Sequence, residues 1–552
     1  MLSGIGDWVR EILSFSGRRK LFRESASRLS LYYYNFAVRN QNAPTELDGE
    51  FKDVISAAEI LLSQKKWDHL IEIANVLSGF MEERGYWGEA LWLHSAALDG
   101  VERKFANPFK QPTPADWHLK IFFLTQLASI QTRQGYFQDA EQYFTEALKT
   151  AERIKQTKIQ AQLNNFLSTL TRLQGRHEEA REYLKRSQAL MPDLELQGQL
   201  SGKYLDVLSQ GNLAEARQIA ITKRQKAQQQ NDKSLEADAL CNLGDIAIRE
   251  GSTDEALEAY KHAIVIYAEN SDLDGEMDAW RSLAKVYAGR GDLNEAQRIL
   301  QNVMEYYLKN GSMANVLEVY IDRGGYLIAE MNLEEAETCF QRGMEIAIQL
   351  QSLPQLAICF YQMGIIKERK GDLDQAIQQY TQFLKAAEES QHQQLIGIAC
   401  FCLGMALIQN GDLENARHYL VRRLEICLSM NSKPDEASTL HLLGDVDTKL
   451  GAYENAGAVL EESAEIYSKI GNPIDIGQVR YSQSKLFFEQ GLYQRSWDYL
   501  RQMIILINTS NSDALESLAV AMLNRFAHVP EFQDQASSLR EILTFVRAEA
   551  DQ

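Results

Sequence analysis

Gly411-Asp-Leu-Glu-Asn-Ala416 decides the fold, because it is one member of a series. Gly371-Asp-Leu-Asp-Gln-Ala376 stands 40 residues before it and Gly451-Ala-Tyr-Glu-Asn-Ala456 stands 40 residues after it. Further out lie Gly135-Tyr-Phe-Gln-Asp-Ala140, Gly251-Ser-Thr-Asp-Glu-Ala256 and Gly291-Asp-Leu-Asn-Glu-Ala296. Gly175, Gly211 and Gly491 complete the series of anchors, and Met331 takes the glycine's place before Asn332-Leu-Glu-Glu-Ala336. Every step is 40 residues except the 36 between Gly175 and Gly211. A looser copy, Gly85-Tyr-Trp-Gly-Glu-Ala90, precedes Gly135 by 50 residues, and the extra stretch holds Pro108, Pro112 and Pro114. A fixed period of this size predicts stacked supersecondary units rather than one globular core.

Each period predicts two amphipathic helices. A small residue stands seven positions before most anchors: Gly244, Ala284, Gly324, Gly364, Gly404, Gly444 and Ser484. Large apolar residues flank it at helical spacing, so it marks where a partner helix approaches closely. After the anchor, the alanine is followed by apolar residues four and eight positions on, as in Ala376, Tyr380 and Leu384. The anchor permits a tight turn, and Asp292, Asp372 and Asp412 are placed to cap the second helix. Pro354, Pro434 and Pro473 fall where a new unit begins.

This pattern resembles the tetratricopeptide repeat over roughly residues 67–510, with a beat of 40 residues here against the usual ~34. The resemblance implies an all-α fold: a right-handed α-solenoid, or superhelix, of about eleven helix pairs with helical caps. It departs at Gly211, where Tyr204 occupies the small-residue position and predicts a distorted unit. The expected organisation is an N-terminal helical cap or docking helix over 1–50 and atypical first units over 51–103. A Pro-containing loop follows over 104–116, then the array over 117–510 and capping helices over 511–552. In the N-terminal segment Leu2, Ile5, Trp8, Val9, Ile12 and Leu13 form an apolar stripe. Leu29 to Phe36 predicts a second, buried helix. Trp67-Asp-His-Leu and Arg84-Gly-Tyr-Trp-Gly-Glu-Ala90 also resemble the arrays of STAND-type signalling ATPases. The ATPase itself is not implied, because Gly202-Lys203 runs into Tyr204 and no phosphate-binding loop is present.

Composition narrows the partners. The 552 residues carry a formal charge of −19, which opposes non-specific binding to nucleic acid and anionic membrane. No apolar stretch approaches the ~20 residues of a typical membrane span, so no integral membrane contact is expected. Cys241, Cys339, Cys359, Cys400, Cys402 and Cys427 read as packing thiols of a cytoplasmic protein. Cofactor, metal and catalytic signatures are missing: there is no His-Glu-x-x-His, no Cys-x-x-Cys and no Gly-x-Ser-x-Gly. His441 and Asp445 are four apart and within reach of a local hydrogen bond. Lys223, Arg224 and Lys226 read as a solvated helix face.

By resemblance, the first helix of each unit lines a concave face, at positions 13, 10, 6 and 3 residues before the anchor. Ile358, Tyr361, Ile365, Ile398, Phe401, Met405 and Ile408 then form an apolar, peptide-binding stretch of groove. Asp238, Asp245, Asp278, Arg281 and Lys285 form a polar stretch upstream, whose carboxylates suit basic residues on a ligand. The expected function is a non-catalytic scaffold for protein–protein interaction that holds another protein, a peptide or an amphipathic helix in the groove. The alternative is a regulatory sensor whose N-terminal helix competes for that groove. Oligomeric state stays open, a homo-oligomer included.

Overall fold

The computed structural model describes residues 15–41, 43–106, 111–190, 213–510 and 512–540. The apolar stripe at 2–13 and the unit around Tyr204 lie outside them. Among the described residues there are helices, turns and no strand. The fold is an all-α solenoid of antiparallel helix pairs.

The 40-residue beat divides into two near-equal halves. Thr253–Glu269 and Leu273–Gly289 have 17 residues each, and Leu293–Asn310 has 18. Two or three residues join each helix to the next. The six extra residues of the beat therefore lengthen the helices, which reach about 26 Å at 1.5 Å per residue.

The joints come in two interleaved series. Within a pair the chain turns at the anchor, where Gly135, Gly251, Gly291, Gly371, Gly411, Gly451 and Gly491 all have positive φ and Met331 adopts φ 61°. Between pairs it turns at Asn231, Ser271, Gly311, Gln351, Gln391, Asn431 and Gly471, also at positive φ. Hydrogen bonding is the same in both. Ser252 N donates to Ala247 O at 2.8 Å, and Asp272 N donates to Tyr267 O at 2.9 Å. Both close a helix by bonding back across the left-handed residue. The first series is written in glycine at every one of these joints but Met331, the second only at Gly311 and Gly471, so the first series was the one visible in the sequence.

Capping follows the expectation at Asp372 and Asp412, which accept from Gln375 N at 3.1 Å and Asn415 N at 3.3 Å. Asp292 is a correction, because its carboxylate makes no cap bond. Asp232 and Asp272 cap the first helices of their pairs instead, accepting from Leu235 N and Gly275 N at 3.0 Å each.

The small residue seven positions before the anchor meets a large one nine positions after it. A Cβ on Gly244 would stand 2.7 Å from the Tyr260 ring, and one on Gly324 would stand 2.6 Å from Phe340. At Gly444 the obstacle is Leu460, at 2.4 Å. Ser484 instead meets Ser496, five positions after Gly491, and each hydroxyl donates to the other's carbonyl.

Two compact units make up the chain, 1–366 with 389–392, and 367–388 with 393–552. In the first unit, helices Phe15–Arg39 and Pro44–Ser63 lead into Trp67–Arg84 and Trp87–Phe105. The boundary expected at residue 50 thus falls inside a helix. Trp87–Phe105 ends one residue past the expected start of the Pro-containing loop, and the next helix opens at Pro114.

This unit also closes on itself. Buried residues from Ala37 to Ile130 share one apolar core with residues from Ala284 to Ile366. Gln134 Nε2 donates to Leu350 O at 3.3 Å, Ser352 Oγ donates to Arg133 O at 3.1 Å, and the Phe137 ring lies 5.8 Å from that of His392. Early joints thus seat against inter-pair joints some 220 residues later. Periodicity carries no sign of this seam.

Candidate functional site

The polar set lies in the first unit, on the helices Lys233–Arg249 and Leu273–Gly289. Here the carboxylates are tied to tyrosines of the second helices. Tyr267 OH donates to Asp238 at 2.6 Å, Tyr260 OH to Asp245 at 2.6 Å, and Tyr307 OH to Asp278 at 2.9 Å. Burial and the adjacent carboxylates raise the pKa of the Tyr267 and Tyr307 phenols, so both stay protonated and donate. Burial also pushes the Asp245 carboxyl up. Asp238 has a further neighbour in Lys223 Nζ, 3.6 Å away. Lys223 is buried, which corrects its reading as part of a solvated face, and desolvation lowers its pKa.

Arg281 and Lys285 converge on one acceptor in the next pair. Arg281 Nε lies 3.0 Å from Asp322 Oδ2, Lys285 Nζ lies 3.4 Å from Oδ1, and Arg281 also faces Glu318 at 3.6 Å. Asp322 was not singled out in the sequence, and Glu318 was read there only as one of the inner positions. Glu318 occupies an inner position by register, whereas Asp322 falls outside the four inner positions that the resemblance supplied. Ile358, Tyr361 and Ile365 lie on Leu353–Arg369 in this unit and are half-buried.

The second unit carries Ile398, Phe401, Met405 and Ile408 on Gln393–Asn410. Buried Ala399, Cys400, Leu403, Ala406 and Leu407 form the core face of this helix. Its four candidate residues remain half-buried. None of its 18 residues is charged. It is long and apolar enough by length and composition to cross a membrane, which corrects the expectation that no such stretch exists. In this fold it is the first helix of a pair, and Gly404 admits Leu420 of the partner helix Leu413–Met430.

Phe401 has one specific neighbour, the Arg423 guanidinium, whose Cζ lies 4.1 Å from the ring centroid. Arg423 is itself buried and donates to Asp435 Oδ1 at 3.1 Å. Further along, His441 Nε2 is 2.8 Å from Ser482 Oγ and 3.9 Å from Asp445 Oδ2. The imidazole thus keeps Asp445 as a near neighbour and also bonds to a helix of the next pair. Burial holds the imidazole below its ordinary pKa, so it is neutral near pH 7.

All six cysteines are unpaired, and burial pushes Cys359 and Cys402 up to about 12, so both are protonated thiols at neutral pH. Among the described residues, no three His, Cys, Asp or Glu side chains converge on a metal-sized site. Open surface concavities occur elsewhere, over Gln138, Glu141 and Thr145 and beside Tyr453, Gly457 and Phe487.

Sequence models of the tetratricopeptide repeat match residues 122–193, 235–309 and 312–389, and a second such model matches 361–429. No curated protein matches the sequence. A STAND signal-transduction ATPase with a tetratricopeptide repeat sensor, from Pyrococcus horikoshii, is 13% identical, with TM-score 0.45. The alignment covers 85% of this chain and 89% of that one. The apo form of the quorum sensor NprR from B. thuringiensis is 15% identical at TM-score 0.39, over 65% of this chain and 99% of the other. By its matched segments and its paired helices, the chain carries tetratricopeptide repeats over residues 122–193, 235–309 and 312–429.

Proposed function

We propose that the protein is a non-catalytic interaction module that holds an apolar segment of a partner, a peptide or an amphipathic helix. The principal contact is the Ile398, Phe401, Met405 and Ile408 face of the second unit. One observation carries this reading: a helix without charge leaves four large apolar side chains partly exposed after its core face is filled. Helices of a solenoid ordinarily turn polar residues outward, and a contiguous apolar exception marks a contact surface. Phe401, held by the buried Arg423, is the anchor whose orientation is already fixed.

The first unit adds two further faces: apolar Ile358, Tyr361 and Ile365, and the polar set Asp238, Asp245, Asp278, Arg281 and Lys285. The polar set is the more self-satisfied of the two, because its tyrosines and ion pairs already engage it. Six free cysteines support a reducing, cytoplasmic setting.

The test is affinity capture from the native cell with the wild-type chain and with Met405→Asp. The partner should be lost from Met405→Asp while circular dichroism and the melting curve stay in place. Retained capture removes the face from the reading, and loss of cooperative melting reassigns Met405 to the core.

A further inference from the structure

The seam of the first unit is connected to its inner wall by an unbroken chain of polar contacts. At the wall, Lys285 and Arg281 hold Asp322, and Arg281 also faces Glu318. Glu318 accepts from Gln355 Nε2 at 3.4 Å, and Gln355 Oε1 accepts from the Ser352 hydroxyl. Ser352 Oγ is also 3.1 Å from the carbonyl of Arg133, across the seam. A serine hydroxyl has one proton and therefore donates fully to one acceptor at a time. Ser352 is 1% exposed and its seam neighbour Gln134 is 0% exposed, so water does not readily replace either bond.

We propose that this arrangement is a clasp: Gln355 and the Arg133 carbonyl compete for the Ser352 proton, and the ion pairs of the inner wall set the outcome by holding Gln355 in place. With Glu318 engaged, Gln355 stays within reach of Ser352 and takes a share of the proton, which weakens the seam. When Glu318 is drawn elsewhere, Gln355 is released, the proton goes wholly to Arg133 O, and the seam tightens. A change at the wall is thereby read out at joints far away in sequence, through two discrete hydrogen-bonded states. The inference is independent of the apolar face on the second unit.

The signs of two substitutions decide it. Hydrogen exchange of the 133–137 amides is measured in the full chain, as a ratio to exchange in helix Thr253–Glu269, which cancels any unit-wide change in stability. Ser352→Ala deletes the seam bond and should raise the ratio on the order of fivefold, the worth of one ordinary hydrogen bond. Ser352→Thr keeps the hydroxyl and should restore it. Gln355→Ala leaves Ser352 a single acceptor and should lower the ratio; Glu318→Ala should lower it less. If Ser352 and Gln355 only cap the helix Leu353–Arg369, both alanine variants loosen the joint. A ratio for Gln355→Ala at or above the wild-type value therefore overturns the clasp.

Discussion

Gly135 and Gly451 occupy the same place in their repeats and have nearly the same φ, 89° and 78°, yet they are different residues physically. Around Gly451, in the second unit, a Cβ would meet nothing within 4 Å. At Gly135, in the first unit, it would stand 2.8 Å from Ser390 Cβ and 2.9 Å from Pro354 Cδ. One glycine serves only the turn. The other serves the turn and also a seam between segments far apart in sequence. A repeat code thus specifies local geometry uniformly, and tertiary closure adds a demand at selected copies without altering the code.

Gly135→Ala and Gly451→Ala separate the two demands, and the first is the largest effect expected. Gly135→Ala combines left-handed strain with overpacking against a buried joint, for a loss of about 3 kcal/mol. Gly451→Ala carries only the strain and should cost about 1 kcal/mol. Urea denaturation of the two variants checks the difference. Equal losses would mean that the seam yields freely and that closure contributes little to the first unit.

Acid sharpens the comparison from another side. His94 of the first unit is buried beside Phe122 and Phe123, and burial lowers its pKa to about 4. Its unfolded value is about 6.5. Because the unfolded chain takes up the proton first, stability is full above pH 6.5, falls as pH drops toward 4, and levels off below that. Between pH 7.5 and 5.5 the contribution of His94 should shrink by about 1 kcal/mol. Replacing it by His94→Phe should flatten that part of the profile for the first unit. An unchanged slope would place the acid sensitivity elsewhere, for example at His441 in the second unit, whose pKa burial also lowers.

The sequence made the joints and pairings readable where a rare residue was needed. Gly444 faces Leu460, and no larger residue fits there without displacing it, so the residue announces the contact. Helix faces were readable as register, since Phe401 and Met405 stand on one helix and are both half-buried. What those faces touch was not. The Phe401–Arg423 stack joins residues 22 apart through helix packing, and Asp238 is shared by Tyr267 and Lys223 on different helices. The seam was invisible for the same reason. Ser352 and Gln134 are ordinary polar residues, and only the accumulated rotation of successive pairs brings them to Arg133 and Leu350.

The smallest effect concerns Met331, the one anchor in the described array that holds left-handed backbone without glycine, at φ 61°. Its side chain is 61% exposed and so contributes little packing to set against the strain. Met331→Gly relieves strain of roughly 1–2 kcal/mol. It also returns conformational freedom to the unfolded chain, which offsets about 0.5–1 kcal/mol of that relief. A net gain of about 0.5 kcal/mol is expected, visible as a small rise in the urea midpoint at unchanged slope. Asn431→Gly, at the inter-pair joint, should gain less, because asparagine tolerates this conformation better than other non-glycine residues. If Asn431→Gly gained as much as Met331→Gly, the second series of joints would be as strained as a misplaced methionine. The absence of glycine from most of that series would then have no backbone explanation.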